Sequence, residues 1–319
     1  MFKVIIRRLI ELVVSLFLIT SATFFLLAAV PGDALSAQTN NLPEAARARV
    51  YKESGLNKPV LERYKITMTS MLHGNFGESI ADPGMTMSQV IHDKFPVSIR
   101  LGIQQILLGV PLGLLFGILA AIYKNTWVDR LVTVGSLLLM SVPSLVLALL
   151  LQSYFGGKLG WFPILGWPEG DQLWFGGWAM TLLPTIAGAL PHIASFARLL
   201  KNAMLDILGS DYVQTARAKG VPEYRVVTHH IIRNAAIPVI TRLPMTIAFS
   251  ITGSVFIESI FVIPGVGQYF VQALNNRDVT IVMGETVLLA ALYIGSLFVT
   301  DLLYMAADPR IKLYAHKEA

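Results

Sequence analysis

Cysteine is absent from the 319 residues. No disulfide framework and no cysteine-based metal site can form, and redox compartment cannot be inferred from cysteine usage. Charge is also scarce: 14% of the residues are Asp, Glu, Lys or Arg, against roughly 25% in soluble domains. With 54% hydrophobic residues and a mean hydropathy of +0.61, the chain has the composition of a membrane protein. The net charge of +5 is no nucleic-acid footprint, because the basic residues are spread over short segments beside apolar runs. Signature strings are missing as well. Without G-x-x-x-x-G-K-[ST] there is no phosphate cradle of the Walker type, so the chain is expected neither to bind nor to hydrolyse ATP. No H-E-x-x-H, G-x-S-x-G or Cys/His metal string occurs. His229 and His230 are adjacent, not four apart, and do not share a helix face. The sequence therefore predicts no catalytic, cofactor-binding or metal-binding residue.

What is present is a series of long apolar runs. Leu12 to Gly32 is uncharged, and its roughly 21 residues suffice to cross about 30 Å of hydrocarbon as a helix. The run is too long for a signal-peptide core and lacks a small-residue cleavage pattern, so it reads as a retained span. Further spans are expected at Leu101–Tyr123, Leu131 to about Phe155, Ala179 to about Ala197, Ala236–Ile257 and Met283–Met305. Gly109, Gly113 and Gly117 fall on one face of the second span and allow close helix contact. Ser141-Val142-Pro143-Ser144 is expected to kink the third. Trp161, Trp167, Trp174 and Trp178 read as interfacial anchors. Lys3, Arg7, Arg8, Lys124, Arg130, Arg198, Lys201 and the basic residues of 206–236 flank the same side of these spans. That bias places both chain ends inside, with six spans. Arg242 is read near the inner end of the fifth span, where it can snorkel. Glu258, Glu285 and Asp301 are read near span ends, within reach of water, and Gln104, Gln105 and Gln152 as bonds between helices.

Between the first two spans, 33–96 is polar and of mixed charge. It is too long for a structureless spacer and reads as a small extracytoplasmic domain. Helical composition occurs at Glu44–Lys52 and Val60–Leu72, and turn chemistry at Gly74-Asn75-Phe76-Gly77. The longest basic interval on the inner side is Asp211–Ala236, which reads as two short helices and a turn. Ser210 or Asp211 can cap the first, Gly220 can end it in the left-handed conformation, and Pro222 suits the start of the second. Tyr212, Ala216 and Lys219 share one face by spacing. On spacing alone this is a solvated hairpin linking two spans, a stray helix-turn-helix, or a knob that enters a groove on another protein.

Gln214-Thr215-Ala216 followed after three residues by Gly220, then His230-Ile231-Ile232-Arg233-Asn234-Ala235, resembles the EAA loop of the membrane subunits of ABC importers. Gln214 stands where the motif usually has Glu, Thr215 where it has its first Ala, and Arg233 where Pro is common. Gly55-Leu56-Asn57-Lys58-Pro59, Gly74-Asn75-Phe76-Gly77-Glu78-Ser79 and the ending Asp308-Pro309-Arg310 resemble strings of the dipeptide, oligopeptide and nickel permease branch, most of all its oligopeptide subunits of the B type. The resemblance implies an all-α type I ABC importer permease fold: a tail and first span at 1–32, an extracytoplasmic domain at 33–96, a transmembrane core at 97–306 with the coupling loop at 206–236, and a cytoplasmic tail at 307–319. It implies a subunit of the bacterial cytoplasmic membrane that forms half of a pathway for oligopeptides. The implied partners are a second homologous permease, two cytoplasmic ATPases that bind ATP and Mg, an extracytoplasmic peptide-binding protein and membrane lipid, with no nucleic acid. Tyr212, Gln214, Thr215, Ala216, Lys219 and Gly220 are the expected ATPase-coupling residues. No pathway residue can be picked out. Dipeptides or nickel chelates are alternative cargoes. An ion-gradient-driven secondary transporter and a receptor without transport are alternatives of other classes.

Overall fold

The computed structural model describes residues 2–29, 44, 55, 57–79, 81, 82 and 84–307. The expected helix at Glu44–Lys52, almost all of the 33–54 stretch and the Asp308-Pro309-Arg310 ending lie outside the described residues. Among the described residues the architecture is helical, with one isolated antiparallel bridge between Glu78 and Thr86. Five helical segments are long and apolar enough to cross a membrane, or six if one sharply bent pair counts as a span.

Helix α1 (Phe2–Ala29) is the first of these. Helix α2 (Val60–Leu72) folds back on it: Tyr64 shares a 2.8 Å hydrogen bond with Ser21 and stacks on Phe25 at 4.9 Å. The turn expected after α2 is present, with left-handed Gly74 and Gly77 and the Asn75 Oδ1 accepting from Gly77 N at 2.9 Å. Helix α3 (Met87–Ile122) is longer than the expected span, because a reciprocal capping box between Thr86 and Gln89 starts it upstream of Leu101, at Met87. At 1.5 Å per residue its 36 residues reach about 54 Å, so its first turns stand outside the apolar layer. Helix α7 (Trp178–Leu208) packs along it. The glycine face is the reason they come so close. A Cβ on Gly109 would lie 2.7 Å from His192 Cβ, one on Gly113 2.8 Å from the Ile193 carbonyl, and one on Gly117 2.7 Å from that of Ala197.

The third expected span breaks within Ser141-Val142-Pro143-Ser144, as expected, but far more sharply than a kink. Helix α4 (Trp127–Ser141) and helix α5 (Ser144–Leu151), the latter continued by a wide turn over Gln152–Lys158, meet at 99°. Pro143 has an extended-type backbone and starts α5 afresh. Lys201 of α7 holds α4 through Asp129 and a 2.7 Å bond to Thr133. A four-residue α6 (Gln172–Phe175) sits in the following loop. There Trp167 is buried beneath the Arg100 guanidinium, 5.3 Å from its ring, whereas Trp161, Trp174 and Trp178 are exposed. Trp167 is thus a core residue and not an interfacial anchor. Arg100 also donates to the carbonyls of Gln172, Leu173 and Gly176, pinning the loop to α3.

Past the basic interval come α8 (Asp211–Ala218), the single turn α9 (Glu223–Arg225) continued by a wide turn over Val226–Ile232, α10 (Arg233–Ile251), α11 (Val255–Phe261), α12 (Val266–Asn275) and α13 (Val279–Ala307). The expected fifth span falls within one candidate membrane span, Glu223–Phe261, interrupted between α10 and α11 at Gly253, whose φ is +95°. Two acidic residues read as water-reaching are in fact buried. Glu258 is fully enclosed; Ser98 Oγ donates to it at 2.7 Å and Gln268 N at 3.0 Å. Glu285 is equally enclosed, and neither carboxylate oxygen has a hydrogen-bond partner. Periodicity missed both, because Glu258 of α11 is enclosed by contacts from α3 and α12 and Glu285 lies on α13 where α10, α12 and α3 pack against it. Asp301 does lie near an end, paired with Arg8 at 3.1 Å, which brings the start of α1 beside the end of α13. Arg242 lies mid-way along α10, not at its inner end, and lines a cavity. The three glutamines bond as expected: Gln104 accepts from Thr185 at 3.1 Å, Gln105 reaches the Pro184 carbonyl at 3.5 Å, and Gln152 donates to the Ile260 carbonyl at 2.8 Å.

Candidate functional site

The basic interval folds as a compact projection between α7 and α10. Its first helix begins at Ser210, in the extended conformation of an N-cap, but no side chain caps it. Ser210 Oγ donates backwards to the Ile207 carbonyl at 2.6 Å instead. The helix ends as expected, with Gly220 at φ +76°; no other atom approaches the place of a Cβ there, so backbone conformation alone calls for glycine.

Two apolar residues anchor α8. Val213 is wholly buried and Ala216 nearly so. They pack with Val226, Ile231 and Ala235 against Phe196, Leu200 and Met204 of α7. The helix is therefore keyed to both long neighbours, α7 before it and α10 after it. This divides the expected coupling residues. Tyr212, Gln214, Thr215, Lys219 and Gly220 are exposed, whereas Ala216 faces the core. The expected common face of Tyr212, Ala216 and Lys219 does not exist as an outer surface, since the inward stripe runs through Val213 and Ala216 at three-residue spacing.

The remaining contacts stiffen the projection without covering it. Asn234 Nδ2 donates to the Tyr212 hydroxyl at 3.2 Å and to the His230 carbonyl at 2.7 Å. Thr215 Oγ1 donates to the Asp211 carbonyl at 2.8 Å. Arg217 closes a two-pronged ion pair on Glu223, at 3.1 and 2.5 Å, across the Gly220 turn, and this hydrogen-bonded carboxylate holds the Arg217 pKa above its ordinary value. Beside the pair, Arg225 lies over the Tyr224 ring at 5.6 Å. The Arg217–Glu223 clasp was missed in the sequence, because a six-residue separation matches no helical or strand spacing. Val213 could have been found from its spacing to Ala216.

The projection is a mostly polar knob whose apolar underside packs against its own chain. Residues 113–313 match the family described as binding-protein-dependent transport system inner membrane component, and residues 1–102 match that family's N-terminal component. The dipeptide transport system permease protein DppB of Bacillus subtilis is 35% identical over 314 residues, covering 98% of this chain and 99% of that one. The oligopeptide transport system permease protein OppB of Salmonella typhimurium is 35% identical over 312 residues, covering 98% and 100%. A chain from the inward-facing MetNI methionine ABC transporter shares the fold, with a TM-score of 0.52 at 19% identity, over 70% of this chain and 96% of that chain. The chain thus belongs to the family of binding-protein-dependent transport system inner membrane components, the membrane-spanning permease subunits of ABC importers.

Proposed function

We propose that this subunit forms half of a pathway for short peptides and that the projection at 211–220 couples it to a cytoplasmic ATPase. The observation that carries the coupling role is the division of α8. Its inner face is locked to two long membrane helices, and its outer face carries Tyr212, Gln214, Thr215 and Lys219 in the open. A force applied to the knob passes directly into α7 and α10. Peptide cargo is supported by the full-length similarity to oligopeptide and dipeptide permeases, which divide between the two cargo lengths at equal identity.

In this reading a second, homologous permease supplies the other half of the pathway. Two ATPases bind ATP and Mg, and this chain holds neither. Closure of the ATPases drives the two knobs together and turns the pathway outward; hydrolysis resets it. An external peptide-binding protein docks on the opposite side, where 33–96 forms the extracytoplasmic domain. Both chain ends face the cytoplasm of a bacterial inner membrane, as the Arg8–Asp301 pairing of α1 with α13 supports.

Gly220→Val is the test. A β-branched residue is a steric outlier at positive φ, so the turn must move. In the reconstituted complex, peptide uptake is expected to fall at least tenfold while the ATPases remain bound. Unchanged uptake would remove the coupling role. Uptake that persists without ATP and collapses with an ionophore would favour a gradient-driven carrier instead.

A further inference from the structure

Two neighbouring cavities share one wall residue, Phe249 of α10. The smaller, of about 230 Å³, is lined by Thr252, Phe270, Tyr293 and Glu285 among others, with no basic residue. The larger, of about 510 Å³, is lined by Pro143 at the α4–α5 bend, by His192 and Ser195 of α7, and by Arg242 and Thr246 of α10, with no acidic residue. Phe249 itself is 60% exposed, and its ring lies 5.3 Å from that of Tyr293.

Neither lining sets its acidic or basic residue against one of opposite sign. Glu285 is fully buried with both oxygens unpartnered. Contrast Glu258, equally buried but held by two donors. A buried polar group without partners is rare enough to need an explanation. Arg242 is exposed, and no ion pair or side-chain hydrogen bond engages its guanidinium among the described residues. Helix α10 sets the spacing along the wall that the two cavities share, because Thr252 and Phe249 line the Glu285 cavity and Arg242 and Phe249 the other. Arg242 precedes Phe249 by seven residues and Thr252 by ten, which is about 15 Å along the axis. An extended chain covers that distance in four to five residues.

We propose that Glu285 and Arg242 form the two ends of a subsite for a short zwitterionic peptide, with Phe249 between them. The peptide's ammonium group supplies the N–H donors that Glu285 lacks. The aromatic faces of Phe249 and Tyr293 add attraction for a cation. The peptide's carboxylate takes the two-pronged bond that a free guanidinium offers. Engagement requires the Glu285 side chain to turn into its cavity, and it breaks no hydrogen bond in doing so. This subsite rests on the peptide-permease reading above and specifies where in this chain the cargo is held.

Two readouts keep the two ideas apart. Uptake by the reconstituted complex with its binding protein tests peptide import. Equilibrium binding of tetraalanine, N-acetyl-tetraalanine and tetraalanine amide to the purified permease–ATPase complex, without the binding protein, tests the subsite. Wild type is expected to bind the free peptide more tightly than either blocked form. Glu285→Gln should weaken the free peptide about tenfold and leave the acetylated form unchanged. Arg242→Gln should weaken the free peptide similarly and leave the amide unchanged. Where Glu285→Gln does not assemble, Glu285→Asp takes its place, with the same pattern expected at smaller amplitude. Loss of all three ligands in parallel, or no change in any, overturns the subsite. So does absence of saturable tetraalanine binding in a wild-type complex that imports peptides.

Discussion

At the scale of single residues, Glu258 is buried and held from two sides. Ser98 Oγ donates to its Oε1 and accepts from Val266 N at 2.9 Å, so one hydroxyl joins α3 to the start of α12. The neighbouring glycines leave the carboxylate its space: a Cβ on Gly265 would lie 2.5 Å from both Glu258 Oε2 and Ser98 Oγ. Ser98→Ala strands one donor and one acceptor in the interior. We expect it to cost about 1–3 kcal/mol, read as a lower melting temperature of the purified complex. Gly265→Ala should destabilise as well, because neither backbone nor carboxylate can retreat. A melting temperature equal to wild type in both would show that Glu258 is not the clasp described. None of this was legible from Pro264-Gly265-Val266-Gly267, which reads as an outer loop; the partner, Ser98, is 160 residues away.

At the scale of elements, the projection shows what local pattern can and cannot say. Gly220 ends α8 with a left-handed backbone, as its position after the helical run implies, since that choice is local. The cap was misjudged because Ser210 had a competing acceptor in the Ile207 carbonyl. Which face turns inward was not legible, because i, i+4, i+7 spacing through Tyr212 fits a stripe as well as spacing through Val213 does. Burial settles the matter and gives unequal weights to two substitutions. Val213→Ala removes a fully buried side chain and should cost about 1.5–3 kcal/mol, with a matching loss of uptake as the knob loosens. Arg217→Ala opens an ion pair whose partners are 38% and 60% exposed, and should change stability by less than about 1 kcal/mol. Hydrogen exchange over 211–235 distinguishes the two: Val213→Ala should accelerate it throughout, Arg217→Ala only near the Gly220 turn. Equal acceleration would mean that the ion pair, not the apolar anchor, holds the projection.

At the scale of the whole molecule, α3 and α7 make a close-packed pair along the Gly109–Gly113–Gly117 face, and the projection hangs from the far end of α7. The proposed sidedness can be tested directly, because the absence of native cysteine makes any introduced thiol unique. Gln214→Cys, exposed on α8, should react with a membrane-impermeant maleimide only in inside-out vesicles. Trp161→Cys, exposed in the loop after α5, should react only in right-side-out vesicles. Reversal of the pattern would place the knob on the wrong side for a cytoplasmic ATPase. Val213→Cys, wholly buried, should react from neither side, which guards against labelling of unfolded material.

The amino-acid sequence by itself determined the helical membrane class, the approximate places of the spans, the glycine face of α3 and the Gly220 turn. Each follows from hydropathy, spacing or backbone freedom over a few neighbouring residues. Only the tertiary structure decided the 99° bend at Pro143, the enclosure of Glu258 and Glu285, the mid-helix place of Arg242 and the inward turn of Ala216. Those depend on which distant helix covers a side chain. An apolar stretch favours burial without naming its neighbour, and a carboxylate's surroundings exist only once several elements have closed around it.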